Sequence, residues 1–198
     1  MNIFIVRHGQ TDYNINGRYG GRIDVPLNET GEAEAQILKA KLTGIKFDRV
    51  YCSPLSRARR TAEIITDEPL IIDERIIERS NGDLEGRLKS EIKDKPDFND
   101  PDETRYNIEN IVPFRERIDS FLSEITSEDS DENILIVTHA GVGIYARVYF
   151  EGEPLDEDYM SYKLDNCEVK VYRDYTKNTQ NTCKMKVLKM KRKEPNFN

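Results

Sequence analysis

Ile3-Phe4-Ile5-Val6-Arg7-His8-Gly9 opens the chain, and Ile134-Leu135-Ile136-Val137-Thr138-His139-Ala140-Gly141 echoes it far downstream. Each is a four-residue apolar run followed by a polar residue, a histidine and, close behind, a glycine. Short continuous apolar runs suit strands buried on both faces of a parallel sheet. In such a sheet both histidines leave the carboxyl ends of their strands, the edge where open α/β sheets bind ligands. The protein has two histidines in all, and both lie in this setting.

The segments between the echoes alternate strand and helix patterns. Asn28–Gly44 reads as a helix, with Thr30 as cap, Glu32 and Glu34 at its positive end, Ile37, Leu38 and Leu42 as apolar positions, and Gly44 as its stop. Phe47–Cys52 reads as the next strand. Ser53-Pro54 is expected to open a second helix, with Ser as cap and Pro at the first helical position. Leu55, Ala58, Ala62 and Ile65 line one face of it. Leu70–Ile72 is a short strand, and 86–105 is polar and irregular. Pro113–Thr126 is an amphipathic helix with Phe114, Ile118, Phe121, Leu122 and Ile125 on its apolar side. The acidic stretch Glu124–Glu132 closes that helix and solvates a loop. Asn133–Thr138 is a buried strand and Val142–Phe150 a helix. Cys167–Tyr172 and Cys183–Met190 alternate and read as a terminal hairpin. This order implies an α/β layered fold around a mainly parallel sheet.

Composition narrows the function. The 198 residues carry 30 basic and 37 acidic side chains, a net charge of −7. That sign excludes a nonspecific nucleic-acid coat, which needs a basic surface to neutralise phosphates. No apolar run approaches the roughly 20 residues needed to span a bilayer, so no membrane partner is expected. Length fits a single domain spanning 1–198 that buries roughly 70% of its extended-chain surface. Met1-Asn2 runs into Ile3 without a basic leader, so a secretory signal is not expected. Cys52, Cys167 and Cys183 are odd in number and form no CxxC. They read as small buried hydrophobes in a reducing cytoplasm.

Arginines join the histidines at the sheet edge. Arg7 precedes His8, and Arg57 stands early in the helix after the second strand, near its positive end. The guanidinium fork matches two phosphate oxygens, and a helix N-terminus favours an anion. Two arginines and two histidines on one edge describe a pocket for a dianion. Two unrelated histidines held by local hydrogen bonds are the bland alternative. A zinc site finished by carboxylates is another, but no HxH, HExxH or Cys-rich spacing supports a metal. Arg59 and Arg60 read as an exposed helix face.

Four motifs in order resemble the histidine phosphatase superfamily, the phosphoglycerate-mutase-like proteins. Arg7-His8-Gly9-Gln10-Thr11 with Asn14 is similar to its signature. Gly17-Arg18 through Asp24, Pro26-Leu27 and Gly31 resembles the loop and helix start that follow. Ser53-Pro54-Leu55 with Arg57-Ala58 and Thr61-Ala62 resembles the second motif. Ile77-Glu78-Arg79-Ser80-Asn81-Gly82 with Glu85-Gly86 resembles the third, and Val137–Gly141 the last.

The resemblance implies a three-layer sandwich, a mainly parallel central sheet flanked by helices. It also implies roles. His8 is the nucleophile that becomes phosphohistidine. Arg7, Arg57 and His139 hold phosphoryl oxygens, and Glu78 protonates the leaving oxygen. Asn14 and Thr11 add phosphate contacts, and Gly20, where the family often has Gln, borders the substrate. Gln10, Arg60 and Ala140 also depart from common family residues, which bears on specificity more than on the proposed chemistry.

That chemistry stands on its own terms. Phosphoryl transfer needs in-line attack and charge neutralisation at the equatorial oxygens. A neutral imidazole can attack near pH 7. An alkoxide leaves poorly, so an acid must protonate it, and the resulting carboxylate can then activate water. Arg and His supply the positive charge, so neither cofactor nor metal is called for. The expected partner is a small phosphorylated metabolite. Glu78 and His139 lie 61 positions apart, shorter than the inserted spacing usual in the family's mutases, which favours a phosphatase. A phosphoglycerate mutase and a phosphate-binding regulatory protein are the alternatives. Six basic residues within 184–193 read as a Lys-protected edge or a solvated end, with anion steering as the other reading.

Overall fold

Ile3–Val6 and Ile134–Val137 lie side by side in parallel, with Ile3 opposite Ile134 and Val6 opposite Val137. They sit in the middle of β1 (Asn2–Arg7) and β4 (Asn133–Thr138) in a computed structural model that describes residues 1–155 and 157–176. β2 (Arg49–Cys52), β3 (Leu70–Ile72) and β5 (Val169–Tyr172) complete a sheet in the order β3-β2-β4-β1-β5. The first four strands run parallel, and β5 runs antiparallel along β1.

Strand side chains alternate between faces, so each apolar run supplies two cores. Phe4, Val6, Leu135 and Val137 face α2 (Glu29–Lys41) and α3 (Ser56–Ile65), packing with Leu38, Leu42, Ala58, Ala62 and Ile65. Ile3, Ile5, Ile134 and Ile136 face α4 (Ile111–Ile125) and α5 (Ala140–Glu151), packing with Phe114, Ile118, Phe121, Val142 and Ala146. The result is the three-layer α/β sandwich with a mainly parallel sheet. No helix among the described residues is long and apolar enough to cross a membrane.

The structure corrects several local expectations. Asn28, not Thr30, caps α2: its Oδ1 accepts the Gly31 N–H at 2.9 Å. Ile37 is 58% exposed, because Ala35, Leu38 and Leu42 form the inward stripe. Ser53-Pro54 does not open α3, which begins at Ser56 with Leu55 as its uncapped N-cap. The Ser53 hydroxyl is committed elsewhere, to His139. A short helix that the periodicity did not announce, α1 (Asp12–Ile15), follows β1 with Thr11 and Asn14 in a reciprocal capping box. Within the first half of the expected terminal hairpin, Val169–Tyr172 forms β5 against β1; its second half, Cys183–Met190, and the basic 184–193 stretch lie outside the described residues. Cys52 is buried and Cys167 half-buried, both as free thiols.

Candidate active site

The chain leaves β1 toward α2 on one face and leaves β4 toward α5 on the other. A crevice opens where neighbouring parallel strands send their connections to opposite faces. The register opposes Arg7 to Thr138, so the next residues, His8 and His139, emerge at one level. Their rings meet edge-on, with centroids 5.1 Å apart. Above them lies a cavity of about 460 Å³ bordered by Arg7, His8, Thr11, Asn14, Gly20, Arg57 and Glu78. His139 is fully buried beneath it rather than on its lining.

His8 is held on several sides. Its Nδ1 lies 2.7 Å from the carbonyl of Gly9. A carbonyl only accepts, so Nδ1 carries the proton and Nε2 keeps its lone pair. The His8 N–H donates to Thr138 O, and Asn166 Nδ2 donates to the His8 carbonyl at 2.9 Å. The Gly9 N–H donates to Thr61 Oγ1 at 3.0 Å. A side chain at Gly9 would collide with the Gly31 carbonyl, so the turn after His8 can rest on the start of α2 only as glycine. Burial, reinforced by the guanidiniums of Arg57 and Arg7, holds His8 well below the usual histidine range. The same causes, with His8 itself added, push His139 down. Both rings are therefore neutral near pH 7.

His139 Nε2 lies 2.7 Å from Ser53 Oγ, and its buried Nδ1 has no hydrogen-bond partner among the described residues. Arg7 is fixed by Nη1 donating to Leu164 O at 2.9 Å, and its Nε is likewise unpartnered. Arg57 reaches from the second position of α3, and its two Nη atoms donate to Ile23 O and Gly21 O at 2.8 Å each. Burial lowers both guanidiniums from their ordinary value, but arginine remains a cation at any working pH.

Three glutamates in the charged stretch separate cleanly. Glu74 is exposed. Glu85 spends its Oε1 on the N–H groups of Arg22 and Asn81 and the Ser80 hydroxyl. Glu78 borders the cavity, with Oε1 accepting the Arg79 N–H at 2.9 Å and Oε2 the Gly141 N–H at 3.1 Å. Gly141 is the second residue of α5, so the carboxyl group rests on a helix N-terminus. A Cβ at Gly141 would overlap Glu78 Oε1.

The site residues expected from sequence thus converge, with two qualifications. Thr11 spends its hydroxyl capping α1. Asn14 Oδ1 is occupied by Thr11 N–H and Asn166 Nδ2, which leaves its own amide hydrogens as the available donors. Sequence reading cast Ser53 as a helix cap and gave no role at the site to Ser53, Asn166, Arg79, Lys89 or Lys163. Ser53 had a signal, its place in the motif with Arg57; Asn166 had none. Arg59 and Arg60 are exposed as expected, and Arg60 pairs with Glu32 at 2.8 Å. Among the described residues no group of three or more His, Cys, Asp or Glu side chains could hold a metal ion.

The profile of the histidine phosphatase superfamily (branch 1) matches residues 3–185. The chain belongs to the histidine phosphatase superfamily. Among its relatives in that superfamily, the adenosylcobalamin/alpha-ribazole phosphatase of Salmonella typhimurium is 34% identical over 154 residues, 72% of this chain and 75% of the relative. The 2,3-bisphosphoglycerate-dependent phosphoglycerate mutase of Cytophaga hutchinsonii is 32% identical over 151 residues, 69% of this chain and 71% of the relative. The crystal structure of the alpha-ribazole phosphatase from Shigella flexneri matches with a TM-score of 0.75 at 29% identity, covering 86% of this chain and 89% of that one. The protein is accordingly an enzyme of the superfamily's phosphatase and mutase-like class.

Proposed function

We propose that the protein is a metal-independent phosphatase that hydrolyses a small phosphomonoester through a phosphohistidine on His8. The observation that carries this reading is the His8 Nδ1–Gly9 carbonyl contact, which leaves Nε2 with a free lone pair at the cavity. Nε2 attacks phosphorus and the bond to the leaving oxygen breaks. Glu78 gives that oxygen its proton. Arg7, Arg57 and His139 take up charge on the equatorial oxygens, where preorganised donors contribute most. In the tautomer in which the Ser53 hydroxyl donates to His139 Nε2, the proton sits on His139 Nδ1, which has no partner among the described residues and donates to a phosphoryl oxygen. Asn14 offers its amide hydrogens to the same group. In the second half, the Glu78 carboxylate takes a proton from water as that water splits the P–N bond, returning neutral His8 and inorganic phosphate.

Lys89 and Lys163 border the outer cavity, and neither has an acidic partner among the described residues. Each pushes on the other: Lys89 is lowered by burial and by the charges of Lys163 and Arg7. A leaving group with an anion of its own relieves that repulsion. Phe98, Tyr145 and Tyr159 supply apolar wall beside it. The substrate we favour is therefore a phosphorylated metabolite with a second negative group.

Hydrolysis of p-nitrophenyl phosphate in excess EDTA, wild type beside His8→Ala, tests the reading. Turnover that survives the chelator and vanishes in the variant supports it. Substantial turnover by His8→Ala contradicts it. Conversion of 3-phosphoglycerate to 2-phosphoglycerate with a bisphosphoglycerate primer would instead identify a mutase.

A further inference from the structure

Glu109 stands just before α4 and touches neither histidine, yet its carboxylate gathers the surroundings of Glu78. Oε1 forms an ion pair with Arg22 Nη2 at 3.1 Å and accepts from Arg117 Nε at 3.0 Å. Oε2 accepts from Arg117 Nη2 at 3.1 Å and from the Ser80 N–H at 3.1 Å. The Glu109 carbonyl accepts from Arg79 Nε at 2.7 Å, and its N–H donates to Ser80 O at 3.0 Å. Its side chain is 15% exposed and that of Arg117 16%, so this pair is held in a largely desolvated setting, while Arg22 closes it from the solvent side.

The two arginines that Glu109 pairs with have a second common target. Arg22 Nε donates to the main-chain carbonyl of Glu78 at 3.2 Å, and Arg117 Nη2 donates to the same oxygen at 3.3 Å. One carboxylate thus fixes two guanidiniums that grip the backbone of the proposed proton donor. Arg22 also lies between Gly21 and Ile23, whose carbonyls hold Arg57. The phosphate clamp and the proton donor therefore share a mechanical reference.

We propose that Glu109 is a positioning residue for proton transfer. Through Arg22 and Arg117 it sets the Glu78 carboxyl group against the leaving oxygen, in register with the Arg57 clamp. This rests on Glu78 being the proton donor. An error of a fraction of an ångström in a proton donor slows transfer without abolishing binding. Removing the Glu109 charge leaves Arg22 and Arg117 to repel each other and releases the Glu78 carbonyl.

Leaving-group dependence tests the idea, because p-nitrophenolate departs without a proton and an alkoxide does not. Glu109→Gln, Arg22→Gln and Glu78→Gln are assayed on p-nitrophenyl phosphate and on an alkyl phosphate such as glycerol 3-phosphate. Glu109→Gln is expected to lower kcat/KM, which reports phosphoryl transfer to His8 and not the hydrolysis step that both esters share, roughly tenfold more on the alkyl ester than on the aryl ester; the selectivities of all three variants are read in kcat/KM. Arg22→Gln, at a side chain 42% exposed, carries the same test with little risk to folding; its loss has the same selectivity. Equal losses on the two esters in both variants would overturn the proposal. If Glu78→Gln is selective for the alkyl ester and the other two are not, Glu109 has no positioning role and the donor stands. If Glu78→Gln shows no selectivity, the donor reading fails and this proposal falls with it.

Discussion

At the scale of single residues, the two histidines depend on burial for their state as much as for their place. Both are held below the ordinary histidine range, chiefly by desolvation and then by Arg57 and its neighbours. In the unfolded chain they titrate near 6.5. Below that pH the unfolded state binds protons that the folded state refuses, so stability falls as pH drops from about 6.5 toward the folded values. The slope approaches about 1.4 kcal/mol per pH unit for each histidine. Denaturant unfolding between pH 5 and 7 should show this fall, and His139→Gln should roughly halve it. A slope unchanged by His139→Gln would mean that other groups carry it. The same depression keeps His8 nucleophilic on the acid side of neutrality, so the limb of kcat/KM that reports its protonation should lie below about pH 6.5.

At the scale of elements, the site is built where main chains approach closely. Gly141→Ala places a methyl group against Glu78 Oε1 at the start of α5. Helix propensity slightly favours alanine there. The expected outcome is therefore a protein that folds with a thermal midpoint within a few degrees of wild type and loses roughly 10²-fold in kcat. A variant with full kcat would contradict the placement of Glu78 against that N-terminus. Gly9→Ala is different in kind, because its methyl group meets the main-chain carbonyl of Gly31. Backbone cannot rotate away as a side chain can, and a loss of about 2 kcal/mol or more in stability is expected by denaturant unfolding. Legibility follows the same division. β1 and β4 could be read because buried strands are continuous apolar runs; β3 was legible from its apolar run although Ile71 and Ile72 are exposed. α4 could be read because its stripe Phe114, Ile118, Phe121, Leu122 and Ile125 is unbroken. The start of α3 was misread because Ser53 has the chemistry of a cap but turns its hydroxyl to His139, a tertiary choice that local propensity does not record. α1 was missed because four residues are too few for a period.

At the scale of the whole molecule, sheet register is what turns two distant sequence echoes into one site. Arg7 opposite Thr138 sets His8 beside His139, and Cys52 opposite Val137 brings Ser53 level with Thr138, where its hydroxyl reaches His139. Four motifs in order carried His8, Arg57, Glu78 and His139 to the crevice from sequence alone. The outer cavity was not legible, because Lys89, Phe98, Tyr145 and Lys163 come from irregular connections and a helix that no common pattern joins. The distribution of charge there has a consequence for choice of substrate. Lys89→Met combined with Lys163→Met should lower kcat/KM for a phosphorylated carboxylic acid at least tenfold more than for p-nitrophenyl phosphate, mainly through KM. Equal losses on both would remove the second anion from the proposed substrate. The covalent step itself is reached most directly in Glu78→Gln, where loss of the general base slows water attack. This variant, mixed with phosphoryl-labelled p-nitrophenyl phosphate and quenched in alkali, should carry about one acid-labile phosphoryl group per chain, on the peptide that contains His8. Label on another residue, or no label in a variant that still turns over, would contradict a phosphohistidine at His8.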